Sequence, residues 1–169
     1  MADLLEPSDE IANLRPAADS DAQDLFGLLS LCFAEYPGCF VDPHDDLPDL
    51  RYPGSSFDRR GGAFWVVGDE RGRVCACVAV DFPEEGAAEL HRLYVRPDQR
   101  GKGLGASLVR LVERHARDRG ATRIYFWSDT RFTNAHRLYQ RLGYVKVEGQ
   151  QRDLGDISNS VEYRFEKDL

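Results

Sequence analysis

Ala88-Glu89-Leu90-His91-Arg92-Leu93-Tyr94-Val95 leads through Arg96-Pro97-Asp98-Gln99 into Arg100-Gly101-Lys102-Gly103-Leu104-Gly105-Ala106. The first part alternates as a strand does, with Glu89, His91, Leu93 and Val95 on one face and Leu90, Arg92 and Tyr94 on the other. Beyond the glycines, Leu104, Leu108, Leu111, Val112, His115 and Ala116 recur at steps of three and four. That spacing predicts an amphipathic helix over 104–119, closed by Gly120. Glycines at 101, 103 and 105 let the junction turn tightly and leave its N–H groups uncovered, where the helix dipole places partial positive charge. Such a junction is an anion seat, and the charges of Arg100 and Lys102 add to it, so a pyrophosphate suits it by geometry and by sign.

Outward from this stretch the elements fall into order. Residues 11–15 predict a short strand stopped by Pro16, followed by a helix that Asp19 or Ser20 would cap and that carries Ala22, Leu25, Phe26, Leu29 and Phe33 at helical spacing. Residues 34–60 hold Pro37, Gly38, Pro43, Pro48, Pro53 and Gly54 among many acids and read as a long functional loop with room for a short helix at 45–50. Residues 64–67 and 74–82 predict an antiparallel hairpin across a Gly-containing turn. Downstream come a strand at 124–127, a helix at 134–142 ending at Gly143, and strands at 144–148 and 161–165. The expected fold class is α/β, more closely mixed α+β: one domain over 1–169 with residues 1–10 flexible, about seven mostly antiparallel strands, about four helices, and one right-handed parallel crossover at 88–127.

The 169 residues fit a single domain, and the net charge of −7 disfavours partners bound by neutralising phosphates, so neither nucleic acid nor an anionic membrane is expected. The charge is unevenly spread: residues 1–58 sum to −11, and residues 90–120, which contain the glycine loop, to +5. No apolar run approaches the roughly 20 residues of a membrane helix, and the start of the chain lacks a basic and apolar leader, which makes the cytoplasm the expected location. The four cysteines show no zinc-type spacing and are read as buried reduced thiols, Cys75 and Cys77 on one strand face. No metal is expected.

Three motifs offer themselves for the glycine loop. A mononucleotide P-loop is not matched at any register. A dinucleotide pattern is formally matched by Gly101, Gly103 and Ala106, with Asp129 downstream, but it requires the first strand of a doubly wound parallel sheet, whereas an antiparallel meander is expected here. The third is Arg/Gln-x-x-Gly-x-Gly/Ala, met by Arg100-Gly101-Lys102-Gly103-Leu104-Gly105, and here the chain resembles the GNAT superfamily of acetyl-CoA-dependent N-acetyltransferases. A second block, Asn134-Ala135-His136-Arg137-Leu138-Tyr139 followed by Gly143-Tyr144, resembles the same family independently.

The resemblance implies acetyl-CoA as co-substrate. Its pyrophosphate would rest on Arg100, Gly101, Lys102, Gly103, Leu104, Gly105 and Ala106, its pantetheine arm beside Leu93, Tyr94 and Val95, with Asn134 on the other side. It further implies Tyr139 as proton donor to the departing thiolate, and Glu89, with His91 close behind, as the base that deprotonates an attacking amine directly or through water. The acceptor is expected to be a small-molecule amine met by the 35–60 loop. Its acids Asp42, Asp45, Asp46 and Asp49, with Tyr36, Phe40 and Tyr52, suit a cation, while Asp129 and Arg131 are placed to contact substrate, Arg131 equally well through a carboxylate. Homodimers through the C-terminal strands occur among such relatives. An acyl-CoA sensor without catalysis and, more distantly, a nicotinamide-dependent oxidoreductase are the alternatives.

Overall fold

Val74–Glu84 is apolar at nearly every position, the pattern of a strand covered on both faces, and it forms the long β3 beside the middle of the sheet. The computed structural model describes residues 10–42 and 47–169. The expected flexibility of the N-terminus and the acids Asp45 and Asp46 therefore lie outside the described residues, Glu10 excepted. In chain order the elements are β1 (Leu14–Pro16), α1 (Ala22–Phe33), α2 (Leu47–Arg51), α3 (Pro53–Arg59), β2 (Ala63–Gly68), β3, β4 (Ala87–Val95), α4 (Leu104–Asp118), β5 (Arg123–Asp129), α5 (Thr133–Arg141), β6 (Val145–Asp153) and β7 (Val161–Asp168). Five α-helices stand among the described residues where about four are expected, because the proline-rich 34–60 segment holds both α2 and α3, the latter opened by Pro53 in its first turn.

The sheet runs β1-β2-β3-β4-β5-β7-β6, and β4 with β5 is the one parallel pair among the described strands. A doubly wound parallel sheet is thereby absent from the described residues, and the dinucleotide reading falls with it. The parallel pairing covers only Ala87, Glu89 and the residue between them, against Arg123 to Tyr125. Past that point the two strands part, opening the sheet toward the glycine loop that follows β4. No described helix is long and apolar enough to cross a membrane.

The sheet separates two cores. Leu108, Val109, Val112 and Ala116 of α4 and Tyr139 of α5 pack on Val78, Val80, Leu90, Ile124, Phe126 and Phe165. On the other face α1 and α3 bring Leu25, Leu29 and Phe57 against Val66, Cys77 and Ala79. One buried polar cluster joins the elements around the site: Glu113 of α4 accepts from Tyr144 Oη (3.0 Å) and Lys167 Nζ (2.9 Å). Removing one partner from a buried pair of this kind costs about 3–5 kcal/mol.

Two bulges overturn the strand-parity expectations. Val67 faces Ala76 while its neighbour Gly68 faces Val74, so Cys75 is an extra residue in β3. Cys75 lies in the α4-side core and Cys77 in the α1-side core, on opposite faces rather than one. All four cysteines are buried, and none forms a disulfide among the described residues. In β4, Ala79 pairs His91 and Cys77 pairs Tyr94, leaving one residue too many, and Arg92 takes the left-handed φ of 55° there. The phase flips: Leu93 packs with the α4-side core, whereas Tyr94 and the Phe57 contact of His91 (5.7 Å) lie on the other side.

Candidate active site

The opening between β4 and β5 belongs to a cleft of about 910 Å³ that runs from the glycine loop to the C-terminal strands. At its first end the backbone does the work. Gly101 and Gly103 have φ of 76° and 80°, and Gly103 stands at the N-terminus of α4. The Arg100 amide donates to Pro97 O (3.3 Å) and the Ser107 amide to Gly103 O (3.0 Å); between them the amides of residues 101–106 meet no backbone carbonyl and are available to an anion. A Cβ on Gly105 would meet Leu138 Cδ2 at 3.2 Å, which explains a small residue where α4 approaches α5.

The side-chain charges are arranged differently from expectation. Arg100 donates to both oxygens of Glu35 (2.6 and 2.7 Å) and to Val95 O (2.9 Å), so its guanidinium links the loop to the end of α1. Lys102 faces a separate depression beside Arg96 and Gln99. The cations that do line the cleft's loop end with Arg100 are Arg110 and Arg141. Arg110, two helical turns beyond Gly103, was legible from helical periodicity.

Farther in, the cleft is lined by Leu93, Tyr94, Val95, Asn134, Tyr139, Glu89 and His91, so the expected cofactor-arm and catalytic residues come together. Tyr139 is buried against Phe126, with ring centroids 4.3 Å apart. Burial raises its pKa, which keeps the phenol protonated. Glu89 accepts a hydrogen bond from Tyr125 Oη (3.2 Å), and His91 Nε2 lies 2.9 Å from Asp81 Oδ1. Asn134 is held on α5 by Arg137, which donates to its Oδ1 (3.1 Å).

At the far end, Tyr36 lines the cleft and packs on Phe132 (4.9 Å). Asp129 also lines it, but its carboxylate is bound by Arg131 through Nη2 (2.6 Å), Nε and the backbone N–H (2.9 Å each). Burial raises the Asp129 pKa, yet these Arg131 bonds outweigh it and hold the carboxyl below the usual carboxylate range. Arg131 is outside the cleft lining. Two of the described acids of the 35–60 segment are likewise engaged: Asp42 accepts from Ile157 N (3.2 Å), and Asp49 binds Arg60 and Arg92. Phe40 lines the cleft and Tyr52 does not. The walls that sequence reasoning missed are Trp127, Phe132, Arg152, Asp156 and Glu162. Most come from the end of β5 and from β6 and β7, where no local motif marks them.

Comparison with known proteins gives the class first. The fold is that of GNAT acetyltransferases: a Staphylococcus aureus member superposes with a TM-score of 0.78 at 19% identity, covering 93% of this chain and 98% of that one. A phosphinothricin acetyltransferase from Sinorhizobium meliloti, solved in complex with AcCoA, gives 0.71 at 17% identity, covering 95% and 89%. Sequence then fixes the family. Residues 24–144 match the Acetyltransferase (GNAT) family, and the chain belongs to it. It is 32% identical over 119 residues to an uncharacterized N-acetyltransferase of Schizosaccharomyces pombe, covering 70% of this chain and 72% of that protein. It is 33% identical over 106 residues to human N-acetyltransferase 8, covering 60% of this chain but 46% of that protein, so it spans about half the length of that relative.

Proposed function

We propose that this chain transfers the acetyl group of acetyl-CoA to the primary amine of a small molecule, by direct attack within a ternary complex. The observation that carries this reading is the single continuous cleft, which joins the uncovered 101–106 amides, the diverging edge of β4, Tyr139, and Glu89 with His91. The pyrophosphate sits on the amides, and the pantetheine lies along residues 93–95 with Asn134 opposite. Amine attack on a thioester needs a neutral nucleophile, a polarised carbonyl and a proton for the leaving thiolate. Glu89 takes the proton of the amine directly or through water, with His91 as the second candidate. A backbone N–H near Val95 polarises the carbonyl, and Tyr139, which burial keeps protonated, supplies the thiolate proton.

Direct attack is favoured over an acetyl-enzyme by the thiol that lines the cleft at α1. Burial raises the Cys32 pKa above the ordinary thiol value, which disfavours the thiolate a nucleophile requires. For the acceptor, the ion pair of Arg131 with Asp129 weighs against a carboxylate-binding role for Arg131, and Tyr36, Phe132 and Trp127 offer an aromatic wall to a compact amine.

A thermal-shift comparison tests the cofactor: acetyl-CoA raises the melting temperature and NAD does not, because a ligand of the folded state alone adds to its stability. Release of CoA thiol across a panel of amines then tests the reaction. Stabilisation by acetyl-CoA with no turnover on any amine would assign the chain to non-catalytic acyl-CoA binding.

A further inference from the structure

Asp81 of β3 and Glu89 of β4 are direct cross-strand partners, so two carboxylates stand side by side on the α3-facing side of the sheet. Both are largely withdrawn from solvent, with side chains 14% and 17% exposed. Like charges directly opposite one another destabilise a sheet, and partial burial sharpens the repulsion. The atom set among them is His91 Nε2, 2.9 Å from Asp81 Oδ1 and 3.8 Å from Glu89 Oε2. One atom from each of the three side chains thus falls within a span of 4.8 Å.

We propose that Asp81, Glu89 and His91 form a binding site for a divalent transition-metal ion of the Zn²⁺ type, and that an ion held there blocks the amine-activating end of the cleft. One imidazole nitrogen and two carboxylate oxygens are a donor set suited to such ions. Bonds of 2.0–2.1 Å set tetrahedral ligands about 3.3 Å apart, and the observed separations of 2.9 and 3.8 Å bracket that edge. The ligands need no loop to close on the ion, because they project from two paired strands.

Outer partners orient them. Arg60 approaches Asp81 through the other oxygen, Oδ2 (3.6 Å), whereas Tyr125 Oη donates to Glu89 Oε2 itself (3.2 Å); that oxygen faces His91 and keeps a second lone pair for an ion. The ion would take the place of the proton between His91 and Asp81. Glu89 and His91 line the cleft while Asp81 stands behind them, so the remaining coordination position opens toward the acceptor, where water or the amine itself would enter. With Glu89 and His91 both coordinated, and the amine itself held on the ion through its lone pair, neither side chain is left to take the amine's proton. The binding half of this proposal is independent of the acetyl-transfer reading. The blocking half rests on it.

Titration of the whole chain with Co²⁺, in the absence of either substrate, separates the two halves. The expected result is saturable one-to-one uptake with visible ligand-field bands and no thiolate charge-transfer band, and displacement of the colour by Zn²⁺. Uptake weakens about tenfold or more in Asp81→Asn and is lost in His91→Phe, with circular dichroism melting used to confirm that both variants are folded. No uptake by the wild type, equal uptake by the folded variants, or a thiolate band that places the ion on a cysteine would each overturn the site. Acetyl-CoA consumption, followed by chromatography because Zn²⁺ also binds the released thiol, is expected to stop as the site fills. Continued turnover with the site saturated would overturn the block and leave the site.

Discussion

At one end of the cleft the backbone amides of one short stretch, residues 101–106, stand beside the guanidinium groups of Arg100, Arg110 and Arg141. At the other the lining groups are side chains delivered from distant parts of the chain: Tyr36 after α1, Glu89 and His91 on β4, Trp127 and Asp129 on β5, Arg152 on β6 and Glu162 on β7. A backbone site asks of the sequence only glycines at a strand-to-helix junction, whatever the remaining side chains are. A side-chain site depends on the register of five elements at once. The first construction suits a ligand part that does not change, and the second can be altered one residue at a time without disturbing the sheet.

The comparison breaks most visibly if the two ends prove to share one job. The proposed proton donor and base belong to chemistry alone, and general acid or base groups contribute about 10²–10⁴-fold. Tyr139→Phe and Glu89→Gln are each expected to lower kcat by about 10²-fold while leaving acetyl-CoA affinity within about twofold. Steady-state kinetics with an identified amine, alongside acetyl-CoA thermal shifts, give both numbers. A parallel loss of affinity would show that the inner end also holds the cofactor. Unchanged turnover in Glu89→Gln would pass the base role to His91 or water.

The opposite pattern is expected at the loop. A Cβ on Gly103 meets nothing within 4 Å, so space is not the obstacle, but its φ of +80° is. A β-branched residue in the left-handed region costs about 1–2 kcal/mol or more. Gly103→Val is therefore expected to weaken acetyl-CoA binding about tenfold, with kcat at saturation nearly unchanged. A fall in kcat with affinity intact would mean that the loop positions the thioester rather than seating the phosphates.

This division also explains what could be read from the chain. Seven strands, their order along the sequence and the glycine-loop helix all followed from alternation, periodicity and glycine spacing. Asn134 and Tyr139 were singled out by the resemblance of residues 134–144 to the GNAT family, since helical spacing alone would make Tyr139 a core residue, and both line the cleft. Parity failed at Cys75 and Arg92, because a bulge inserts one residue through backbone geometry that no side-chain pattern announces. Charge was an incomplete guide: Asp42 and Asp49 read as acids suited to a cation, yet each meets an N–H or a guanidinium supplied from elsewhere in the fold. Those two partnerships are contacts between distant segments, so composition of the loop could not reveal them, whereas Asp129 is bound by Arg131 only two residues on.

Arg100 joins the two ends, and its pair with Glu35 offers a finer test. Both side chains are more than a third exposed, where an ion pair contributes about 0–1 kcal/mol. If the amides carry the phosphate site, Glu35→Gln should alter acetyl-CoA affinity by no more than about fivefold, with the difference shrinking as salt is added. A larger gain would mean that Arg100, once released from Glu35, turns its guanidinium to the pyrophosphate, and the loop would no longer be a backbone site alone.

The smallest effect is expected at the Asp129–Arg131 pair beside the far end of the cleft. Asp129 is held below the usual carboxylate range, so its contribution to stability is fully present above the unfolded value near pH 4 and is lost as pH falls through the lower folded value. At neutral pH the Asp129–Arg131 pair is therefore intact and Arg131 has no spare charge for an incoming carboxylate. Two amine acceptors that differ only by an α-carboxylate should then show kcat/KM values within about twofold of each other. A hydrogen bond to a charged group is worth about 1.5–3 kcal/mol, or roughly 10–100-fold. A preference of that size for the carboxylated acceptor, lost in Arg131→Gln, would show that substrate displaces Asp129 and that the far end of the cleft rearranges on binding while the glycine loop does not.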